Sequence, residues 1–421
     1  MLKFLRQVEK SQTLLINEQS RLMQESGKEI YKLGFGQSPF SPPERVIRSL
    51  KDNISKHGYI PVQGLSDLRE AATKFHNEKQ GFDFNPEFCL IAPGSKMLIY
   101  SVMAAFKKAD ILIPAPAWVS YAPQAQLLGH NIVRVKSSFG NRWRVTAEEL
   151  EKSVSECRSD TQKIMIINYP GNPDGLVYSA DELKDIAEIS RKYSILIIAD
   201  EIYSFLNFGG DTNSIAKFYP EGTIVTTGLS KWCGAGGWRL GIAFLPDTFD
   251  ELKETMLGIA SETYSCVSAP ISYAAIEAYK NDEITDKFLQ DQRGILSIIS
   301  TQSTEILSAA GVGVHKAEGG FYLFLDFMPL SDQLRKKGLK TSEELCLAIL
   351  EETGVALLHS AVFGIEESYL SARLAFIDFD GTKALKAAET EDIDNKFVEK
   401  YCGRTIGAVM RLSDWVSDNC N

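Results

Sequence analysis

The sequence predicts an α/β protein: a large domain with a mostly parallel sheet covered by helices, followed by a smaller α+β domain. Three observations carry this. Short, continuous apolar runs recur between about residues 88 and 245, the pattern of strands buried on both faces. Helical periodicity separates several of them, notably over Ala180–Lys192, and such alternation marks a parallel sheet. From about residue 285 onward, long polar–apolar helical stretches alternate with two short strands, G-G-F-Y-L-F-L-D and Y-L-S-A-R-L-A-F-I.

Taken in order, residues from about 10 to 32 are polar and helix-compatible, and they run into L-G-F-G-Q-S-P-F-S-P-P, where glycine and proline break any helix. A crossing of this kind lets backbone pass close to a ligand, with Gly36 the candidate position; an ordinary linker has the same composition. The segment L-x-x-L-R-E-A-A-x-x-F has helical spacing, with Ser66 as its capping-type start. Phe88–Ala92 reads as a strand that enters P-G-S-K and then an apolar helix closed by lysines. Strand, glycine turn and helix start together leave N–H groups free to meet an anion. Further strands are expected at Asp110–Pro114, Asn131–Lys136, Lys163–Asn168, Ile195–Asp200, Thr223–Thr227 and Leu240–Leu245. The expected division is an N-terminal segment (1–50) folded against the smaller domain, the large domain (51–290) and the small C-terminal domain (291–421). In open α/β sheets, ligands collect beyond the carboxyl ends of the strands. Asn168, Asp200 with Tyr203, and Gly228–Lys231 fall there.

Composition narrows the class of function. The 421 residues carry a formal charge of −10, with 44% hydrophobic and 24% charged residues, as in an ordinary soluble globular protein. A net negative chain disfavours non-specific binding to nucleic acid or anionic lipid. No apolar run is long enough to span a bilayer. Charges interrupt the first ten residues, so no secretory leader is expected. The seven cysteines are odd in number and scattered without C-x-x-C spacing, which fits free thiols in a reducing cytoplasm. Cys233, two residues past Lys231, reads as a buried, inert thiol. The five histidines form no cluster, and no metal site is expected.

The chemistry concentrates in T-T-G-L-S-K-W-C-G-A-G-G-W-R-L-G, residues 226–241. A lysine (Lys231) beside Ser230 and eight positions before Arg239 suits covalent capture of an aldehyde whose phosphate is gripped nearby. The amine forms an imine, the guanidinium offers a planar fork, and the glycines permit close approach. Alone, the stretch reads equally as a glycine-rich turn with two solvated cations. Upstream, Asp200 follows directly on I-L-I-I-A, where a buried acid without a partner would be costly.

N-Y-P-G-N-P-D-G at 168–175, D-E-I-Y at 200–203, S-K with its arginine at 230–239 and the late arginine of S-A-R-L-A-F occur in this order. Together they resemble the fold-type I pyridoxal-phosphate enzymes, specifically the class I/II aminotransferases, over roughly residues 30–380. The resemblance implies a transaminase that carries pyridoxal 5′-phosphate and moves an amino group between an L-amino acid and a 2-oxo acid by a ping-pong route. Lys231 then matches the Schiff-base lysine, which also carries the proton between substrate Cα and cofactor. Asp200 matches the carboxylate that keeps the pyridine nitrogen protonated. Tyr203 and Asn172 match the partners of the phenolic oxygen, and Trp118 matches the aromatic that stacks on the ring. Ser95 and Lys96 backbone amides, Ser230 and Arg239 match the phosphate site, completed by Tyr59 from a second subunit. Arg373 matches the clamp on the substrate α-carboxylate. A homodimer with shared active sites follows from the Tyr59 match.

Departures bear on the substrate. The common N-P-T-G turn reads N-P-D-G here, placing Asp174 near the site, and Gly228 stands where a serine or threonine is frequent. His359 and Ser360 occupy the late loop L-L-H-S-A-V-F-G, where many relatives carry proline and glycine. P-G-S-K-M, P-A-P-A-W-V-S-Y and G-G-W-R-L-G are similar to the bacterial-type aspartate/prephenate branch. In that branch a lysine at the Lys96 position can meet a distal carboxylate. An ammonium at a helix N-terminus is otherwise unfavourable, though it can also offset the phosphate or face solvent. Dicarboxylic substrates (aspartate, glutamate, 2-oxoglutarate) are the first expectation. Aromatic or neutral amino acids, or a lyase or synthase outcome on the same scaffold, are the alternatives. A scaffold or regulatory protein that keeps the fold without turnover is a further one, against which the joint retention of Lys231, Asp200, Arg239 and Arg373 argues.

Overall fold

A computed structural model describes residues 12–210 and 213–420. The first ten residues, on which the expectation about a leader rests, lie outside the described residues. Helix α1 (Gln12–Glu25) and the two-residue strand β1 (Tyr31–Lys32) precede α2 (Glu44–Asn53) and α3 (Ser66–Gln80). The central run then alternates: β2 (Cys89–Ala92), α4 (Ser95–Ala104), β3 (Ala109–Ala115), α5 (Tyr121–Leu127), β4 (Asn131–Lys136), α6 (Ala147–Val154), β5 (Gln162–Asn168), α7 (Ala180–Lys192), β6 (Leu196–Asp200), β7 (Thr223–Gly228) and β8 (Gly241–Phe244). Helices α8 (Asp250–Thr263), α9 (Ala269–Ala278) and α10 (Glu283–Ala309) lead to β9 (Tyr322–Asp326). The chain ends with α11 (Ser331–Lys336), α12 (Ser342–Thr353), β10 (Val355–Ala356), β11 (Leu358–His359), β12 (Ser371–Ala375), α13 (Gly381–Ala387) and α14 (Asn395–Cys420).

The seven strands expected from apolar runs form one sheet in the order β2-β8-β7-β6-β5-β3-β4. All neighbours are parallel except at β8, which runs antiparallel to both β7 and β2. Both faces of its central strands are covered by separate apolar clusters, one containing Met165 and Ile197, the other Ile164 and Ile198. This double burial explains why the strands read as unbroken apolar runs. Near the C-terminus β9, β12 and β11 form an antiparallel sheet, while β1 pairs in parallel with β10. The fold is thus the expected α/β arrangement with a smaller sheet. Helix α2 straddles residue 50, the expected end of the N-terminal segment.

Local chemistry accounts for most element ends. Helix α7 begins at a reciprocal capping box between Ser179 and Glu182, and α3 ends at Gly81 in left-handed conformation. At the start of α3 the expectation needs correction: Leu65, not Ser66, takes the cap position, and no side chain caps the helix. Lys107 and Lys108 lie beyond the end of α4 rather than inside it. The weak helical signal at the C-terminus belongs to a 26-residue helix whose buried face includes Phe397, Leu412 and Trp415. Among the described residues, no helix is long and apolar enough to cross a membrane. All seven cysteines are free, and burial pushes the Cys233 thiol up to about 12, as suits an inert group.

Candidate active site

Beyond the carboxyl ends of β5, β6 and β7, a cavity of about 540 Å³ opens between the large sheet, the 34–37 crossing and the β9–β12 ladder. Strand register sets its floor: Asn168 pairs with Asp200, and Asp200 with Thr226. Gly36, Ser95, Lys96, Trp118, Asn172, Asp200, Tyr203, Ser230, Lys231, Arg239 and Arg373, all selected from the sequence, line it together. Tyr59 does not. It is 94% exposed and lies outside the cavity of its own chain.

Lys231 follows the turn after β7, and its Nζ donates to the Gly36 carbonyl at 2.8 Å. Burial, helped by the nearby Arg373 and Arg239 charges and opposed by Asp200, lowers its pKa to about 7. The amine is therefore substantially neutral, and nucleophilic, near physiological pH. Asp200 ends β6 fully enclosed, with Oδ2 accepting from the Tyr121 hydroxyl at 2.7 Å and Oδ1 left without a partner. Burial raises its carboxyl to about 6, opposed first by the Tyr121 hydrogen bond and then by the nearby Ile202 N–H, the Lys231 charge and the Thr226 hydroxyl, though neither Ile202 nor Thr226 reaches hydrogen-bond geometry with Oδ1. A buried carboxylate oxygen with no donor calls for one from a ligand.

Across the cavity, Arg373 donates from Nη1 to Asn172 Oδ1 at 2.9 Å and from Nη2 to the Gly34 carbonyl at 2.7 Å. Its Nε is buried without a partner, and its guanidinium lies 4.7 Å from the Tyr322 ring centre. Asn172 is itself held by its N–H, which donates to Asn168 Oδ1 at 2.8 Å. At the opposite end Gly94 caps α4 without any side-chain hydrogen bond, so the first N–H groups of that helix remain available to an anion. Arg239 stands beside them, donating to the Gly236 and Pro93 carbonyls at 2.8 and 3.3 Å. It adopts φ 59°, left-handed backbone that costs a non-glycine residue on the order of 1 kcal/mol. A Cβ on Gly94, at φ +92°, would overlap this guanidinium. Lys96 Nζ lies 5.0 Å from the Trp118 ring centre, and burial followed by the Arg239 charge lowers its pKa.

Three departures singled out in the sequence fall outside this cavity. Asp174 turns away and forms an enclosed ion pair, Arg144 Nη2 to Asp174 Oδ2 at 2.5 Å. Ser360 is buried and donates to the Tyr369 carbonyl at 3.2 Å. His359 lines a second cavity of about 940 Å³ that shares Lys96, Val119, Ser120 and Arg239 with the first. Conversely, Tyr121 and Tyr322 belong to the site without having been selected. Tyr121 stands three residues after Trp118 at the start of a helix, a spacing that could have flagged it. Tyr322 enters through strand pairing with distant residues, for which the sequence holds no local signal.

The sequence profile described as "Aminotransferase class I and II" matches residues 28–376. The chain belongs to this family. Among class I and II aminotransferases it is 31% identical over 369 residues to the aspartate aminotransferase of Geobacillus stearothermophilus, covering 85% of this chain and 90% of that one. It is 30% identical over 372 residues to the asparagine–oxo-acid transaminase of Streptococcus mutans, covering 86% and 91% respectively. In structure it resembles the Thermus thermophilus aspartate aminotransferase solved with maleate, with a TM-score of 0.84, 22% identity, and 98% and 100% of the two chains covered. The chain is accordingly a transaminase of the pyridoxal-phosphate-dependent, fold-type I class, acting on amino acids and 2-oxo acids. The cavity fits that cofactor's chemistry on its own evidence. It offers an amine that is about half neutral near pH 7, a buried carboxylate oxygen without a donor, and an uncapped helix N-terminus beside a guanidinium.

Proposed function

We propose that this aminotransferase works on dicarboxylic substrates, moving an amino group among aspartate, glutamate and their 2-oxo acids in two successive half-reactions. The carrying observation is Lys96. Its ammonium sits at the start of α4 over Trp118, inside the cavity that Arg373 closes on the other side, and no carboxylate pairs with it among the described residues. Arg373 would orient the α-carboxylate through a planar fork, and Lys96 would meet the distal one.

Lys231 would hold pyridoxal phosphate covalently, Asp200 would pair with its ring nitrogen, and Trp118 would cover its face. Tyr203 and Asn172 would serve its phenolic oxygen. The backbone amides of Ser95 and Lys96, with Ser230, Arg239 and Tyr59 of a second copy, would grip its phosphate. Bound there, the cofactor supplies an electron-accepting ring that makes the substrate Cα–H acidic. The protein's own part is to keep Asp200 ionised, to fix the carboxylate on Arg373, and to move a proton at Cα with the Lys231 amine. The same reading makes the protein a cytoplasmic homodimer organised as residues 1–50, 51–290 and 291–421.

A second reading, aromatic or other neutral amino acids, draws on the adjoining cavity, whose wall includes Tyr100, Leu127, Tyr264 and Val362. One experiment separates the two. The cofactor-loaded protein is mixed with a panel of amino acids, and its visible absorbance is followed together with keto-acid release. Fast spectral conversion with aspartate and glutamate, reversed by 2-oxoglutarate, is expected. Preferential response to phenylalanine or tyrosine would refute the dicarboxylate assignment, and ammonia release without conversion would indicate a lyase.

A further inference from the structure

We propose that Tyr322 is a positioning residue for the reaction, its hydroxyl setting the direction in which Tyr203 donates its hydrogen bond. The argument starts from the ladder between β9 and β12. Arg373 pairs directly with Phe324, so Tyr322, two residues earlier on β9, lies diagonally across from Arg373 on the same face. That register lays the guanidinium over the Tyr322 ring and sends the phenol into the cavity. There its oxygen meets the Tyr203 oxygen at 2.9 Å, with both side chains fully enclosed.

Position 36 fixes this arrangement from the other side. Any Cβ on Gly36 would overlap the Tyr322 hydroxyl, so the crossing that accepts the Lys231 hydrogen bond also forms the wall against which Tyr322 rests. The charged and titratable groups around the hydroxyl pair are Arg373 on β12, Lys231 after β7, whose Nζ is 5.3 Å from the Tyr203 ring centre, and Asp200 at the end of β6. None of these is a hydrogen-bond partner of either phenol among the described residues, so the two phenols have only each other in this structure.

Two hydroxyls in contact can share their proton in either direction. With Tyr203 donating to Tyr322, Tyr203 has no proton left to offer a ligand, and only the Tyr322 proton stays free. With Tyr322 donating to Tyr203, the Tyr203 proton is free to point into the cavity, and a hydroxyl that accepts one hydrogen bond donates a stronger one. Burial and the Tyr322 contact hold the Tyr203 phenol far above its ordinary pKa, so both hydroxyls keep their protons across the working pH range. A ligand oxygen that gathers negative charge beside Tyr203 would therefore receive a hydrogen bond reinforced from behind.

This inference rests on the reading of Tyr203 as the residue that serves the cofactor's phenolic oxygen. The test uses Tyr322→Phe, which keeps the ring against Arg373 and removes only the hydroxyl, in the wild-type and Tyr203→Phe backgrounds. The readout is the pH midpoint of the visible absorbance of the cofactor-loaded protein, alongside kcat and KM. Donation stabilises the deprotonated, more anionic oxygen, so its weakening moves the midpoint upward. A rise of roughly half to one pH unit is expected for Tyr322→Phe, with no further rise when Tyr203 is already Phe, and KM little changed. An unmoved midpoint, an equal rise in the Tyr203→Phe background, or a raised KM with an unmoved midpoint would each overturn the proposal. Absence of a cofactor band in the wild-type protein would instead overturn the reading beneath it.

Discussion

Tyr121→Phe isolates one interaction at the most demanding group in the site. The wild-type hydroxyl donates to Asp200 Oδ2 at 2.7 Å, and both groups are buried. A hydrogen bond to a charged acceptor contributes roughly 1.5–3 kcal/mol. Since one pH unit corresponds to about 1.4 kcal/mol, its loss raises the Asp200 pKa by roughly one to two units. The sign follows from the donor favouring the ionised form. In the free protein Asp200 titrates at about 6, so about nine in ten carboxylates are ionised at pH 7. In the variant this falls to between roughly half and one in ten. If the cofactor ring binds the ionised carboxylate, affinity drops roughly five- to fiftyfold at pH 6, two- to tenfold at pH 7, and less than twofold at pH 9. Equilibrium dialysis of cofactor against the apo-protein at these three pH values gives the comparison. A loss of the same size at every pH would show that Tyr121 acts by packing alone, and no loss at any pH would mean that Asp200 does not need its hydroxyl.

Other variants address other parts of the site. Lys231→Ala should abolish turnover while Asp200 and Arg239 still retain free cofactor. Borohydride trapping with peptide mapping should label Lys231 in the wild type, and label on any other lysine contradicts the assignment. Lys96→Ala should lower kcat/KM for aspartate and glutamate on the order of ten- to a hundredfold and barely affect alanine; equal losses for all substrates would remove the distal-carboxylate role. Asp174→Ala leaves the Arg144 charge buried without its partner, which should cost about 3–5 kcal/mol of stability. Chemical denaturation measures this, and a change under 1 kcal/mol would mean that Arg144 finds water or another acceptor.

Much of the fold and of the site is legible in the sequence. The central strands are legible because apolar residues fill both their faces, whereas edge strand β4 alternates buried and exposed positions; helix Ala180–Lys192 agrees with its expected range and starts at a capping box. Eleven residues chosen from sequence motifs meet in one cavity, because most of those motifs lie at one edge of the large sheet, while Gly36 arrives on the N-terminal crossing and Arg373 on β12 of the smaller sheet. What escaped depends on distant pairing. Tyr322 earns its place only through the register of β9 against β12, and Tyr121 through the approach of α5 to the end of β6. Asp174 misled in the opposite way. As an acid beside Asn172 it suggested an active-site group, yet Arg144, thirty residues earlier, neutralises it. Tyr59 lies on the surface of its own chain, so its role turns on an assembly no single chain contains.

The way Arg373 is held has a consequence for ligand entry. Its two hydrogen bonds run to uncharged oxygens, an amide and a peptide carbonyl. An incoming carboxylate therefore has no resident anion to evict. With Nε still unpartnered and the other bonds made to neutral oxygens, a carboxylate arriving there as the proposed function has it would gain a charge-assisted hydrogen bond without breaking an ion pair. The crossing is also tied by its Leu33 carbonyl to the Ala375 N–H and by its Gly36 carbonyl to Lys231, so its place does not hang on the Gly34 bond alone.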